Sequence, residues 1–145
     1  FSQFVEMLAL IREKIAGRGW RDFLLTGETE NRGALVEQFQ GTPGAAVFLI
    51  SLRAGGFGLN LTAASYVVLF DPWWNPAVEN QAIDRTHRIG QTSKVIAYRL
   101  LMKASIEEKI RRLQKQKSAL AADILGEESF ARGLTLDDFR FLLGE

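Results

Sequence analysis

Residues 47–76 read VFLISLRAGGFGLNLTAASYVVLFDPWWNP, and their layout decides the fold. Two apolar runs, residues 46–50 and 66–70, flank a Gly-rich turn and a polar stretch that predicts a short helix. Continuous rather than alternating hydrophobicity marks strands buried on both faces. Upstream, Phe4, Leu8, Ile11 and Ile15 recur at helical spacing, and Gly17 and Gly19 end that helix. A strand over residues 22–26 and a helix over 31–40, with Leu35, Val36 and Phe39 inward, come next. Gly41-Thr42-Pro43-Gly44 is a turn. Downstream, the pattern predicts a helix over about 76–87, a strand over 95–102 and a long helix over 105–125. Ile106, Ile110, Leu113, Leu120 and Ile124 form the apolar seam of that last helix. Thr135-Leu136-Asp137-Asp138 then starts a short terminal helix, expected to dock on a part of the protein beyond this chain. Strands alternating with helices give an α/β domain with a doubly wound parallel sheet. Residues 1–104 form the lobe and residues 105–145 a helical extension.

Composition sets bounds. With 145 residues and 47% hydrophobic content, the chain can bury one core. Its net charge of +1 gives no bulk argument for nucleic-acid binding, which would need a local basic surface. Without cysteine, no disulfide or thiolate metal site can form, and the single histidine, His87, makes no zinc site. No apolar run reaches membrane-spanning length and no leader pattern is visible, so an intracellular setting is expected.

The chemistry-bearing segment is Glu79-Asn80-Gln81-Ala82-Ile83-Asp84-Arg85-Thr86-His87-Arg88-Ile89-Gly90-Gln91. Positions i, i+4 and i+7 share a helix face, so Gln81, Arg85 and Arg88 point the same way. Two guanidiniums and an amide make a poor core face. They suit a polyphosphate, because each guanidinium offers a planar fork of donors that stays charged. A solvated face with surface ion pairs is the plainer alternative. The segment resembles motif VI of the superfamily-two helicase-like ATPases, in the form found in Swi/Snf-type DNA translocases. The stretch 47–76 resembles motif V and the segment after it in the same family. Leu25-Thr26-Gly27-Glu28-Thr29, with Arg32 and Phe39, resembles the family's TGxT block, and Phe1-Ser2-Gln3-Phe4 the tail of its motif IV strand. The resemblance runs in order from residue 1 to about 123.

That resemblance implies a RecA-like C-terminal lobe in which Arg85 and Arg88 act as arginine fingers on the terminal phosphate of ATP. It also implies that Gly58, Asn60 and Gln81 face the nucleotide, while Thr26, Gly27, Ser51, Arg53 and Trp74 face the backbone of double-stranded DNA. Glycine permits close backbone approach, and hydroxyls, amides and guanidiniums hold phosphates without reading bases. For Thr26 a simple strand-end turn is the alternative, and for Gly55, Gly56 and Gly58 a tight turn without ligand. Trp73 and Trp74 lie between Pro72 and Pro76, which bars regular structure there. Asn75 reads as an N-cap before Pro76. Either ring could be the packed one, with Trp74 the one matching a DNA contact. His87 reads as a hydrogen-bonded structural histidine rather than a base. The long helix would brace the two lobes, with Lys109, Arg111, Arg112, Lys115 and Lys117 on a solvated outer face.

The sequence shows no G-x-x-x-x-G-K-[ST] loop and no acidic box for magnesium. Phosphoryl transfer depends on those parts. The chain therefore carries half an active site, with no metal ligands of its own. An N-terminal RecA-like lobe of the same protein would supply the P-loop, the magnesium ligands and the water-activating acid. A monomeric motor, in the nucleoid or nucleus according to its source, is expected. Two other readings stay open: a dinucleotide-binding domain, because Gly56-Phe57-Gly58 follows a strand, and a non-catalytic docking module. An RNA helicase lobe fits the Asp-Pro-Trp-Trp-Asn-Pro loop less well.

Overall fold

The computed structural model describes residues 1–54, 58–71, 76–118 and 134–144. Strands β1 (Arg21–Leu25) and β2 (Ala46–Ile50) pair in parallel, in register from Arg21 opposite Ala46 to Leu25 opposite Ile50. Side chains alternate across a strand, and each face of this pair has its own helix. On one face Leu24, Val47 and Leu49 meet Leu8, Ile11 and Ile15 of α1 (Val5–Ala16). On the other, Phe23 and Phe48 meet Phe39 of α2 (Arg32–Gln40), with ring centroids 5.0 to 6.0 Å apart. Helices on both faces are what continuous apolar strands require. Asn31 caps α2 by accepting the Ala34 N–H at 3.2 Å.

The second parallel pair is β3 (Tyr66–Leu69) with β4 (Ile96–Arg99). Helix α3 (Pro76–Asp84) covers one face, where Val78, Ala82 and Ile83 gather with Val67, Leu69 and Ala97. The opposite face presents Tyr66 and Tyr98 with their rings stacked, centroids 6.5 Å apart. Phe1 and Ser2 join the two pairs. The Ser2 amide donates to the Ile50 carbonyl, the Leu52 amide to that of Ser2, and the Phe70 amide to that of Phe1, at 2.8 to 3.1 Å. The motif IV tail expected from the sequence thus lies between the ends of β2 and β3.

Four elements differ from the sequence expectation. No helix separates β2 from β3 in residues 58–65, where a turn closes through the Ala64 amide on the Leu61 carbonyl at 3.0 Å. Helix α3 stops at Asp84 instead of His87, and β4 stops at Arg99 instead of Met102. Helix α4 is described over Ile106–Ser118; Leu120 and Ile124 fall outside the described residues. Its seam residues Ile110 and Leu113 are buried against Leu134 and Leu142, whereas Ile106 is exposed. The terminal helix α5 (Leu136–Leu143) therefore docks on α4 of this chain. Its start is the capping box that Thr135 and Asp138 announce, each bonding the other's amide.

Helix α4 begins with the Glu108 amide donating to the Ser105 hydroxyl at 3.4 Å, while the Ala104 amide donates to the Glu108 carboxylate at 2.9 Å. Reaching that geometry puts Ala104 at φ 59°, a left-handed conformation that a Cβ disfavours. Ala104→Gly is expected to raise the unfolding free energy by about 0.5–1 kcal/mol in urea titration, strain relief outweighing the added unfolded-state entropy. A loss of stability would show that the turn is unstrained.

Candidate functional site

The loops beyond the strands lie at their carboxyl ends, where open α/β sheets bind ligands. Two clusters form there. The first brings residues 58–61 against the turn after α3. The Leu61 amide donates to the Arg85 carbonyl at 2.8 Å, and an Arg88 guanidinium nitrogen reaches the Leu59 carbonyl at 3.5 Å. Gly58 has φ +52° and open space around its absent Cβ, so backbone conformation is what selects glycine there. Asn60 and Arg88 are exposed.

Arg85 is 7% exposed, and its Nε has no hydrogen-bond partner among the described residues. A buried, unpaired guanidinium N–H carries a desolvation penalty of about 1–3 kcal/mol. An anionic ligand would remove it. Gln81 sits exposed on α3, one turn before Arg85. The single helical row predicted for Gln81, Arg85 and Arg88 is broken, because the helix ends between the first and second of them. The Ile83 carbonyl accepts from the Thr86 amide at 3.0 Å, the Thr86 hydroxyl at 2.7 Å and the His87 amide at 3.2 Å. That crowding tightens the chain, turns Thr86 inward and leaves His87 exposed. The imidazole makes no hydrogen bond among the described residues, so His87 is not the hydrogen-bonded structural histidine expected from sequence.

Two glutamines hold this cluster, and sequence reasoning gave neither a role. Gln91 Nε2 donates to the carbonyls of Ala64 at 2.9 Å and Thr86 at 3.2 Å, fastening the end of one loop to the other. Gly90, at φ +102°, makes the bend that returns Gln91 to the loop. Gln40, at the end of α2, donates to the Thr62 hydroxyl and accepts the Ala63 amide at 2.7 Å. A glutamine straight after a glycine that closes a turn is a weak signal for such a clamp. For Gln40 there is none.

The second cluster lies beyond β1 and β2. Residues 26–29 form a closed turn: the Thr26 amide donates to the Thr29 hydroxyl, the Thr26 hydroxyl accepts the Glu28 amide, and Arg32 donates to the Gly27 and Thr29 carbonyls. The Ser51 amide bonds the Leu25 carbonyl at 3.0 Å, which puts the two turns side by side. Ser51 is buried, with its hydroxyl accepting the Ala54 amide at 3.3 Å, whereas Arg53 is exposed. Trp73, Trp74, Asn75, Gly55 and Gly56 fall outside the described residues. No group of three metal-ligating side chains converges among the described residues, and no described helix is long and apolar enough to cross a membrane.

Residues 1–90 match the helicase conserved C-terminal domain, so the chain belongs to that family, as a Swi/Snf-type RecA-like lobe. It is 43% identical over 98% of its length to the helicase-like transcription factor CHR27 of Arabidopsis thaliana, and 41% identical over 99% to the DNA repair protein RAD5 of Cryptococcus neoformans var. neoformans serotype D. The matched regions are 14% and 12% of those proteins. Among solved structures, the Sulfolobus solfataricus SWI2/SNF2 ATPase core domain superposes with a TM-score of 0.76 at 35% identity, covering 97% of this chain and 29% of that one. The C-terminal part of the Fun30 ATPase domain gives 0.75 at 36% identity, covering 89% of this chain and 40% of that one. The family leaves the dinucleotide-binding alternative without support.

Removing the Gln91 side chain strips two carbonyls of their donor. Gln91→Ala is expected to lower the unfolding free energy by about 1–3 kcal/mol, measured in urea. A change below about 0.5 kcal/mol, the scatter of ordinary surface substitutions, would mean the clamp bears no load.

Proposed function

We propose that this lobe is the second half of an ATP-driven motor on double-stranded DNA. Its arginines complete a nucleotide site whose other half lies on an N-terminal lobe of the same protein. The observation that carries the reading is Arg85: a buried cation whose Nε lacks a partner among the described residues, beside a glycine-opened loop and within one turn of exposed Arg88. Charge of that kind, held in place before a ligand arrives, is what stabilises a transferring phosphoryl group. ATP supplies the phosphoryl group, and magnesium would be held by the N-terminal lobe, since no acidic cluster converges among the described residues of this one. Gly58, Asn60 and Gln81 border the nucleotide on this side.

Residues Thr26, Gly27 and Arg53, joined by Trp74, are assigned to the DNA backbone. Ser51 serves from below by shaping the turn that presents Arg53. A guanidinium, a hydroxyl and a backbone amide are the groups that hold phosphates without reading sequence. Both clusters include residues of the segment that follows β2, Ser51 and Arg53 in one and residues 58–61 in the other, so a lobe movement that closes one site also moves the other. That is the coupling a translocase needs.

The test is Arg88→Ala in the protein that carries both lobes. Turnover should fall by about 10³-fold or more, the range attributed to a single arginine finger, while DNA affinity stays near wild type. Normal turnover would remove Arg88 from the site.

A further inference from the structure

Helix α3 carries, in its first turn, a carboxylate that the nucleotide chemistry does not use. Glu79 is 1% exposed. Its Oε2 accepts from Arg99 Nε at 2.6 Å and lies 3.6 Å from a guanidinium nitrogen of Arg111. One oxygen thus draws three elements together: α3, the last residue of β4 and the middle of α4.

We infer that Glu79 is a positioning residue, tying the arginine-bearing turn to α4 through Arg111 so that the seating of α4 sets the placement of Arg85 and Arg88. The inference rests on the finger reading above. A buried carboxylate is tolerated only while it is paired, and removing a partner is strongly destabilising. Helix α3 therefore cannot slide or rotate without separating Glu79 from its arginines. From Glu79 to Asp84, the last helical residue, the axial distance is about 7.5 Å, less than two turns of a stiff helix, and the Arg85 turn follows directly. A shift at one end is delivered at the other.

The placement of α4 strengthens the point. Its buried seam, Ile110 and Leu113, faces Leu142 and Leu134 rather than the sheet, and Lys109 donates to the Leu142 carbonyl at 3.0 Å. Helices α4 and α5 thus form a unit with its own small core. The Arg111–Glu79 pair is an ionic tie from that unit to the helix that leads into the arginine-bearing turn. Arg111 and Arg99 have no acidic partner other than Glu79 among the described residues. Arg111 was expected on a solvated face; its side chain is partly exposed and also reaches this partner. Arg112, its neighbour, pairs with Glu108 within α4 at 3.0 Å.

The experiment is steady-state ATP hydrolysis with saturating double-stranded DNA, by the two-lobed protein carrying Arg111→Gln, Arg111→Lys, Arg112→Gln, Glu79→Gln or Arg88→Ala. Misplaced fingers weaken the transition state but not the ground state, so Arg111→Gln should lower kcat about tenfold with KM for ATP and DNA affinity within about twofold. Arg111→Lys, which keeps the charge, should recover most of that loss, and Arg112→Gln should match wild type. Glu79→Gln should act in the same direction as Arg111→Gln and more strongly. Wild-type kcat for Arg111→Gln, alongside an inactive Arg88→Ala, overturns this inference alone. Equal losses in the Arg111→Gln and Arg112→Gln proteins, or a parallel fall of kcat, DNA affinity and melting temperature, also overturn it. Normal turnover by Arg88→Ala removes the finger reading and this inference with it.

Discussion

The hydrogen bond from the Leu61 amide to the Arg85 carbonyl is the constraint on which the rest of the site depends. It fastens a loop beyond β2 to the turn that ends α3, two segments 24 residues apart in sequence. Gln91 and Gln40 reinforce the same loop. Without that seam, Gly58 and Asn60 would have no fixed relation to the arginines. With it, the backbone of residues 58–61 and the turn that carries Arg85 are held side by side. Side chains in such a site must be held by neighbours whose own positions are fixed, and here backbone carbonyls do most of the holding.

Much of the architecture was legible in the sequence because it stems from local patterns. Continuous apolar runs located β2 and β3, and the Phe23, Phe39 and Phe48 cluster reflects period-two and helical spacing. The capping box at Thr135 was readable because both partners lie within four residues. Helix ends were less legible. The loss of helix after Asp84 depends on Thr86 competing for the Ile83 carbonyl, a contest that a threonine between a charged and an aromatic residue does not reveal. The polar stretch before β3 looked helical, yet Gln40 and Gln91 draw it into a turn from distant positions.

The candidate site residues divide the same way. Motif order singled out Arg85 and Arg88, but not that Arg85 would be buried with an Nε unpaired among the described residues while Arg88 is exposed. Ser51 was assigned to DNA on type and position, and the fold buries it, its hydroxyl accepting the Ala54 amide. His87 drew attention as the single histidine and proved exposed. Glu79 was invisible as a hub, since its partners Arg99 and Arg111 come from other elements and only the assembled lobe brings them to one oxygen. Residues that act through neighbours leave little trace in a linear pattern.

In the proposed half-site this lobe supplies cations and a DNA grip, and the parts that cradle the phosphates and hold magnesium come from elsewhere in the protein. That division is tested most directly by measuring ATP hydrolysis by the isolated lobe and by the protein that includes the N-terminal lobe, each with and without double-stranded DNA. Silence from the lobe alone and DNA-stimulated turnover from the longer protein is the predicted result. Turnover by residues 1–145 alone would mean that a complete site lies within them, and would contradict the account.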